Sequence, residues 1–146
     1  MKTDKNIIAD LPEKMENRVY CTLTTEQATL YQAVVFDMTK NLDKVEGIAR
    51  KGAILAAITR LKQICNHPGR APRDKAIKAE RSGKVSRLLE MIEEISSEGD
   101  SALIFSQYAT FAEELADMIE KQGDTQVLLL TGLTPRKKRE QMIEEF

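Results

Sequence analysis

The chain has 146 residues, enough for one domain or a domain with an appendage. Its 42% apolar content allows a real core, while 31% charged residues favour solubility. No apolar run approaches the length needed to span a membrane, and the opening MKTDKNIIADLPEK lacks the apolar stretch and cleavage site of a signal peptide, so a cytoplasmic location is expected. The net charge of −1 conceals a segregation: Arg60 to Arg87 carries nine Lys/Arg against Asp74 and Glu80, whereas Glu90 to Asp124 carries ten acids against Lys121. Such a basic stretch could lie along phosphates, and it could equally be a solvated loop.

Residues 1–17 are polar, contain Pro12 and show no periodicity, as in a linker. Arg18-Val-Tyr-Cys-Thr-Leu23 alternates, which predicts a half-buried strand with Val19, Cys21 and Leu23 on one face. Thr24 and Gln27 have capping-box spacing, and Tyr31, Val34, Val35, Met38 and Leu42 follow at helical spacing to about Lys44, with Gly47 as the break. A second helix is predicted over Lys51–Asn66, with Ile54, Ile58, Leu61 and Cys65 on one face, closed by His67-Pro68-Gly69. Arg70–Arg81 has no apolar period and reads as a basic loop. Ser82 then caps a third helix striped by Val85, Leu88, Leu89, Ile92 and Ile95, and Gly99 ends it.

Beyond Gly99 the period changes. Ala102-Leu-Ile-Phe105 and Val127-Leu-Leu-Leu130 read as strands buried on both faces. Between them Phe111, Leu115, Met118 and Ile119 mark a helix closed by Gly123, and Thr134-Pro135 opens a last helix with Pro at its first position. The expected class is therefore α/β, with parallel strands joined by a right-handed crossover and preceded by a helical insertion. Two strands cannot complete such a sheet and the last helix reaches Phe146 without a cap, so these residues are expected to be part of something longer.

Candidate chemistry is sparse. Ser82-Gly83-Lys84 resembles the end of a phosphate loop, but Lys78 stands where the first glycine belongs and Val85 replaces the magnesium-binding hydroxyl. Cys65 and His67 are half a metal site with no second pair to complete four ligands, and the two cysteines are expected to be buried thiols. Two features could meet a ligand. Ser106-Gln107 follows a predicted strand at the edge where α/β sheets bind ligands, and it also fits a helix cap. Thr131-Gly-Leu-Thr-Pro135 leads into a helix bearing Arg136, Lys137, Lys138 and Arg139, an arrangement suited to a phosphate or to an ordinary capped surface helix.

In their order, five segments resemble the Swi/Snf family of superfamily-two helicase-like ATPases. LPEKMENRVYCTLTTEQATLYQ is similar to that family's exit from the first motor lobe, and RLKQICNHP to its helix ending in His-Pro. SGKVSRLLEMIEEI resembles the helix entering the second lobe, SALIFSQYATFAEELADMIE helicase motif IV with its helix, and LLLTGLTPRKKREQMIEEF the pattern that follows. The resemblance implies a partial RecA-like second lobe over 82–146, a helical protrusion and basic loop over 24–81, and a linker and strand leaving the first lobe over 1–23. It implies ATP and Mg²⁺ as cofactors of a full-length protein that translocates on double-stranded DNA, with catalytic residues outside these 146. It also implies that Ser106, Gln107, Thr134 and Arg139 lie near the DNA backbone. A non-catalytic α/β protein-interaction module is the alternative from another class.

Overall fold

The computed structural model describes residues 15–42, 45–69, 77–122 and 125–146. Among these residues the regular structure is five α-helices and one short 3₁₀ turn: α1 Thr25–Leu42, α2 Gly47–Asn66, the 3₁₀ turn Ala79–Arg81, α3 Gly83–Glu98, α4 Ala109–Gln122 and α5 Arg136–Glu145. The expected linker before residue 15, most of the expected basic loop (70–76) and Gly123 lie outside the described residues.

The helices begin and end for local reasons. Thr24 and Gln27 form the capping box: the Thr24 N–H donates to Gln27 Oε1 at 3.1 Å, and the Gln27 N–H donates to Thr24 Oγ1 at 3.2 Å. Helix α2 starts at Gly47, four residues before the predicted start, because Gly47 takes a φ of +58° that opens the helix rather than merely ending the previous one. It stops at Asn66, where His67 turns to extended backbone ahead of Pro68. Ser82 Oγ accepts from the Val85 N–H and caps α3. At the other end Gly99 is left-handed, with the Gly99 N–H on Ser96 O and the Asp100 N–H on Ile95 O, so two carbonyls of the last turn are satisfied. Pro135 sits one residue earlier than expected, as the residue preceding α5.

Helices α1 and α2 pack against each other as a helical hairpin. The apolar core lies elsewhere: Ile77, Val85, Leu115, Met118 and Ile119 are buried together, with Leu88, Leu89, Ile92, Phe111 and Val127 packed around them. This core joins the predicted stripes of α3 and α4, each buried aliphatic side chain contributing about 1.5–3 kcal/mol.

The expectation of an α/β fold with a parallel sheet is not met. Among the described residues there is no strand, and the structure is helical with irregular connections. Residues 18–23, 102–105 and 127–130 have the composition of strands but no ladder. A strand is made by the neighbour that accepts its backbone hydrogen bonds, and apolarity alone does not supply one. The first two segments are also not buried: Cys21 and Phe105 are exposed, and Val127–Leu129 are only half-buried. The expectation of two buried thiols fails with it, since Cys21 is exposed and Cys65 half-buried. No described helix is long and apolar enough to cross a membrane.

Candidate nucleic-acid interface

A groove of about 790 Å³ opens between α2, α3 and the segment 104–108. Its floor is apolar, with Ile58, Leu61, Leu88, Met91, Phe111 and Leu115 among the lining residues. Its edges are not. Lys62 from α2, Lys84 and Arg87 from α3, and Ser106 and Gln107 line the same space. Lys62 and Lys84 are exposed and can reach solvent over the rim. Lys84 Nζ donates to Asn66 Oδ1 at 2.8 Å, which holds the α3 cation beside the end of α2. Arg87 donates to Glu90 at 2.8 Å and lies 3.8 Å from Glu94, and the Glu90 hydrogen bond pushes its pKa further up. Those carboxylates offset part of its charge in the absence of a stronger anion.

The four residues singled out in the sequence fall into two pairs. Ser106 and Gln107 are exposed at the groove, where the Ser106 hydroxyl closes a small turn, accepting from the Tyr108 N–H at 3.1 Å and donating to Tyr108 O at 3.2 Å. Thr134 and Arg139 are brought together in a different loop and do not line the groove. There the Thr131 N–H donates to Thr134 Oγ1 at 2.9 Å, and Leu133 N–H to Thr131 Oγ1 at 3.3 Å. The Arg139 guanidinium donates to three carbonyls of that loop: Thr134 at 2.8 Å, Thr131 at 3.1 Å and Gly132 at 3.3 Å. Arg139 thus braces the turn ahead of α5, and its charge is spent partly on the backbone.

Lys62, Lys84 and Arg87 were visible in the sequence only as members of a basic run. Their convergence needed the fold, because α2 and α3 are joined by a segment whose path no periodicity describes. The other basic residues of that run at 70, 73 and 75 lie outside the described residues.

The Ser82-Gly83-Lys84 triplet is engaged within the fold. Ser82 Oγ is engaged between Asn66 O, to which it donates at 2.6 Å, and the Val85 N–H. Gly83 is packed against the Thr22 carbonyl, and Lys84 is held by Asn66, so the Ser-Gly-Lys triplet is a helix cap and not a phosphate cradle. His67 is equally committed. The Gly69 N–H donates to its Nδ1 at 3.0 Å, so the neutral ring carries its proton on Nε2 and donates it to Lys78 O at 2.8 Å.

Comparison with known proteins agrees along the whole chain. Residues 1–70 match the SNF2-related domain, and residues 83–146 match the helicase conserved C-terminal domain. The chain is 34% identical to the protein YwqA of Bacillus subtilis over 99% of its own length, and 32% identical to the DNA excision repair protein CSB of Oryza sativa over all of it. It spans 16% and 12% of those two proteins. The Sulfolobus solfataricus SWI2/SNF2 ATPase core in complex with dsDNA superposes with a TM-score of 0.86 at 43% identity, covering 99% of this chain and 31% of that one. The C-terminal domain of the Sulfolobus SWI2/SNF2 ATPase gives 0.84 at 41% identity, covering 91% of this chain and 58% of that one.

Proposed function

Because the chain belongs to the SWI2/SNF2 family of superfamily-two helicase-like ATPases, we propose that it is the part of a DNA-dependent ATPase that spans the junction of the two motor lobes and grips the backbone of double-stranded DNA. The observation that carries this reading is the groove at which Ser106 and Gln107 meet Lys62, Lys84 and Arg87. Hydroxyl, amide and cationic side chains at one edge suit phosphate oxygens, which position a protein on a duplex without reading its sequence. The likeness to an ATPase core described in complex with dsDNA supports double-stranded DNA as the partner. Thr134 and Arg139 serve the second contact, with Arg139 holding the Thr131–Thr134 turn in shape and Thr134 presented by it. Residues 24–66 form the helical protrusion, and hydrolysis of ATP with Mg²⁺ belongs to residues outside these 146, in a protein that works on DNA in the cytoplasm.

The test is duplex binding followed by fluorescence anisotropy across a salt series. Affinity should fall linearly with log salt, independently of base sequence, and Lys62→Ala and Arg87→Ala should each flatten the slope by about 0.9, one phosphate apiece. An absence of binding at low salt, or binding with a flat salt response, overturns the reading and points to a protein partner instead.

A further inference from the structure

The junction between the helical hairpin and α3 contains a buried polar cluster that the proposed DNA contacts do not use. Gln27 is 0% exposed, and its side-chain amide touches three helices at once. Its Oε1 accepts from the Thr24 N–H at the start of α1 and from the Gly83 N–H at the start of α3, at 3.1 and 3.4 Å. Its Nε2 donates to Ile64 O in the last turn of α2, at 2.7 Å. Ser82, also 0% exposed, ties the same ends a second time through Asn66 O and the Val85 N–H. Thr24 Oγ1 donates to Arg81 O at 2.9 Å, which closes the ring of bonds around the start of α3.

An ordinary capping residue satisfies its own helix. Gln27 does that with its oxygen and then uses its nitrogen on a different helix, so the cap of α1 also sets where the end of α2 lies. The cluster abuts the groove directly. Asn66, whose carbonyl accepts from Ser82, lines the groove and holds Lys84 through its side chain. Lys62 lies one turn back on α2, two residues before Ile64, and Arg87 one turn along α3.

We propose that Gln27 and Ser82 are positioning residues, which lock the end of α2 to the start of α3 so that Lys62 faces the same phosphates as Lys84 and Arg87. This rests on the groove being the DNA surface, while the lock itself rests on the hydrogen bonds alone. The fold supports the strictness of the arrangement: Gln27 and Ser82 are fully buried, where an unmatched donor or acceptor costs about 1–3 kcal/mol. The chemistry demands one acceptor and one donor on the same planar group. Glutamate at position 27 keeps the acceptor, but its ionised form has no proton for Ile64 O. The neutral acid restores that proton, and burial raises its pKa, so the donor returns as the pH falls.

The experiment uses the 146-residue chain, with spin labels on unnatural amino acids at the exposed positions 51 and 113, on α2 and α4 respectively. Distance distributions and duplex affinity are measured together for the original chain, Q27L and Q27E. In Q27L the distribution broadens and affinity drops roughly tenfold at 0.1 M salt, about one phosphate contact. In Q27E both defects are present at neutral pH and recede on acidification, relative to the original chain at each pH. A folded Q27L with an unchanged distribution overturns the lock. Should Q27L fail to fold, Q27E decides alone: a distribution insensitive to pH, and equal to that of the original chain, overturns it. If the original chain shows no salt-dependent binding, the DNA reading falls, while the distance measurement still decides whether the lock exists.

Discussion

The junction at residues 24–27, 64–69 and 78–85 and the apolar run at 102–105 are opposites in how they are held. The junction is polar and buried, and its side chains are bonded in specific directions: Gln27 to Ile64, Ser82 to Asn66, His67 to Lys78 and Arg81 to Gly69. That apolar run has the composition of a core, yet Leu103 and Phe105 are 70% and 90% exposed. Order here follows from partners satisfied, and hydrophobicity without a partner leaves a segment on the surface. For the proposed DNA surface the consequence is that its cationic edge is anchored to the well-bonded region, whereas Ser106 and Gln107 stand at the end of the loosely held one.

A large effect is expected at the tightest point of the junction. A Cβ at Gly83 would collide with the Thr22 carbonyl, which is backbone and cannot swing aside. Gly83→Ala should therefore lower stability by about 1–3 kcal/mol, the usual cost of overpacking. Gly52 is the control, being exposed in the middle of α2 with nothing near its would-be Cβ. There the same change should raise stability by about 1 kcal/mol through helix propensity. Urea unfolding of the two variants checks both signs, and equal effects would remove the distinction drawn for Gly83.

A smaller effect separates the buried part of the junction from its rim. Arg81 donates to both oxygens of Glu26, at 2.9 and 2.5 Å, and this hydrogen-bonded guanidinium holds the Glu26 carboxyl below its ordinary range against the opposing effect of desolvation. The folded pKa is depressed, so the pair's contribution is fully present above the ordinary carboxylate range and lost as pH falls through the lowered value. Glu26 is substantially exposed, and solvent screening should keep the contribution below about 1 kcal/mol. Comparing Glu26→Gln with the original chain down an acid series should show the stability gap closing, and a gap that widened would contradict the assignment.

What could be read from the sequence divides along the same line. Local devices were legible: the Thr24/Gln27 spacing, the Ser82 cap and the left-handed Gly99 each depend on neighbours within a few residues, and each is present. The stripe of α3 and that of α4 were legible too, since burial repeats with the helical turn. The second task of Gln27 was not. Its bond to Ile64 spans 37 residues, and no local pattern distinguishes a cap whose nitrogen is idle from one that ties down another helix. Strand pairing was illegible for the same reason, and alternation at 18–23 or apolarity at 102–105 describes one side of a ladder only. The candidate site shows both limits. Ser106 and Gln107 were singled out by their place after an apolar run, while Lys62, Lys84 and Arg87 converge only through the junction that brings α2 to α3.

The smallest effect is the one that tests the comparison from its other side. Phe105 is a large aromatic side chain, and truncating one in a packed core costs about 3–5 kcal/mol. At 90% exposure it has almost no contact to lose, so Phe105→Ala should change unfolding free energy by less than about 0.5 kcal/mol, as at other surface positions. The same substitution at Phe111, which packs against Leu115 and its buried neighbours, supplies the reference for an aromatic that is held. Chemical denaturation of the two variants should rank Phe111→Ala far above Phe105→Ala. A comparable loss at both would mean that the 102–105 run is packed in solution, and that the contrast between a bonded junction and an unheld apolar run does not describe this chain.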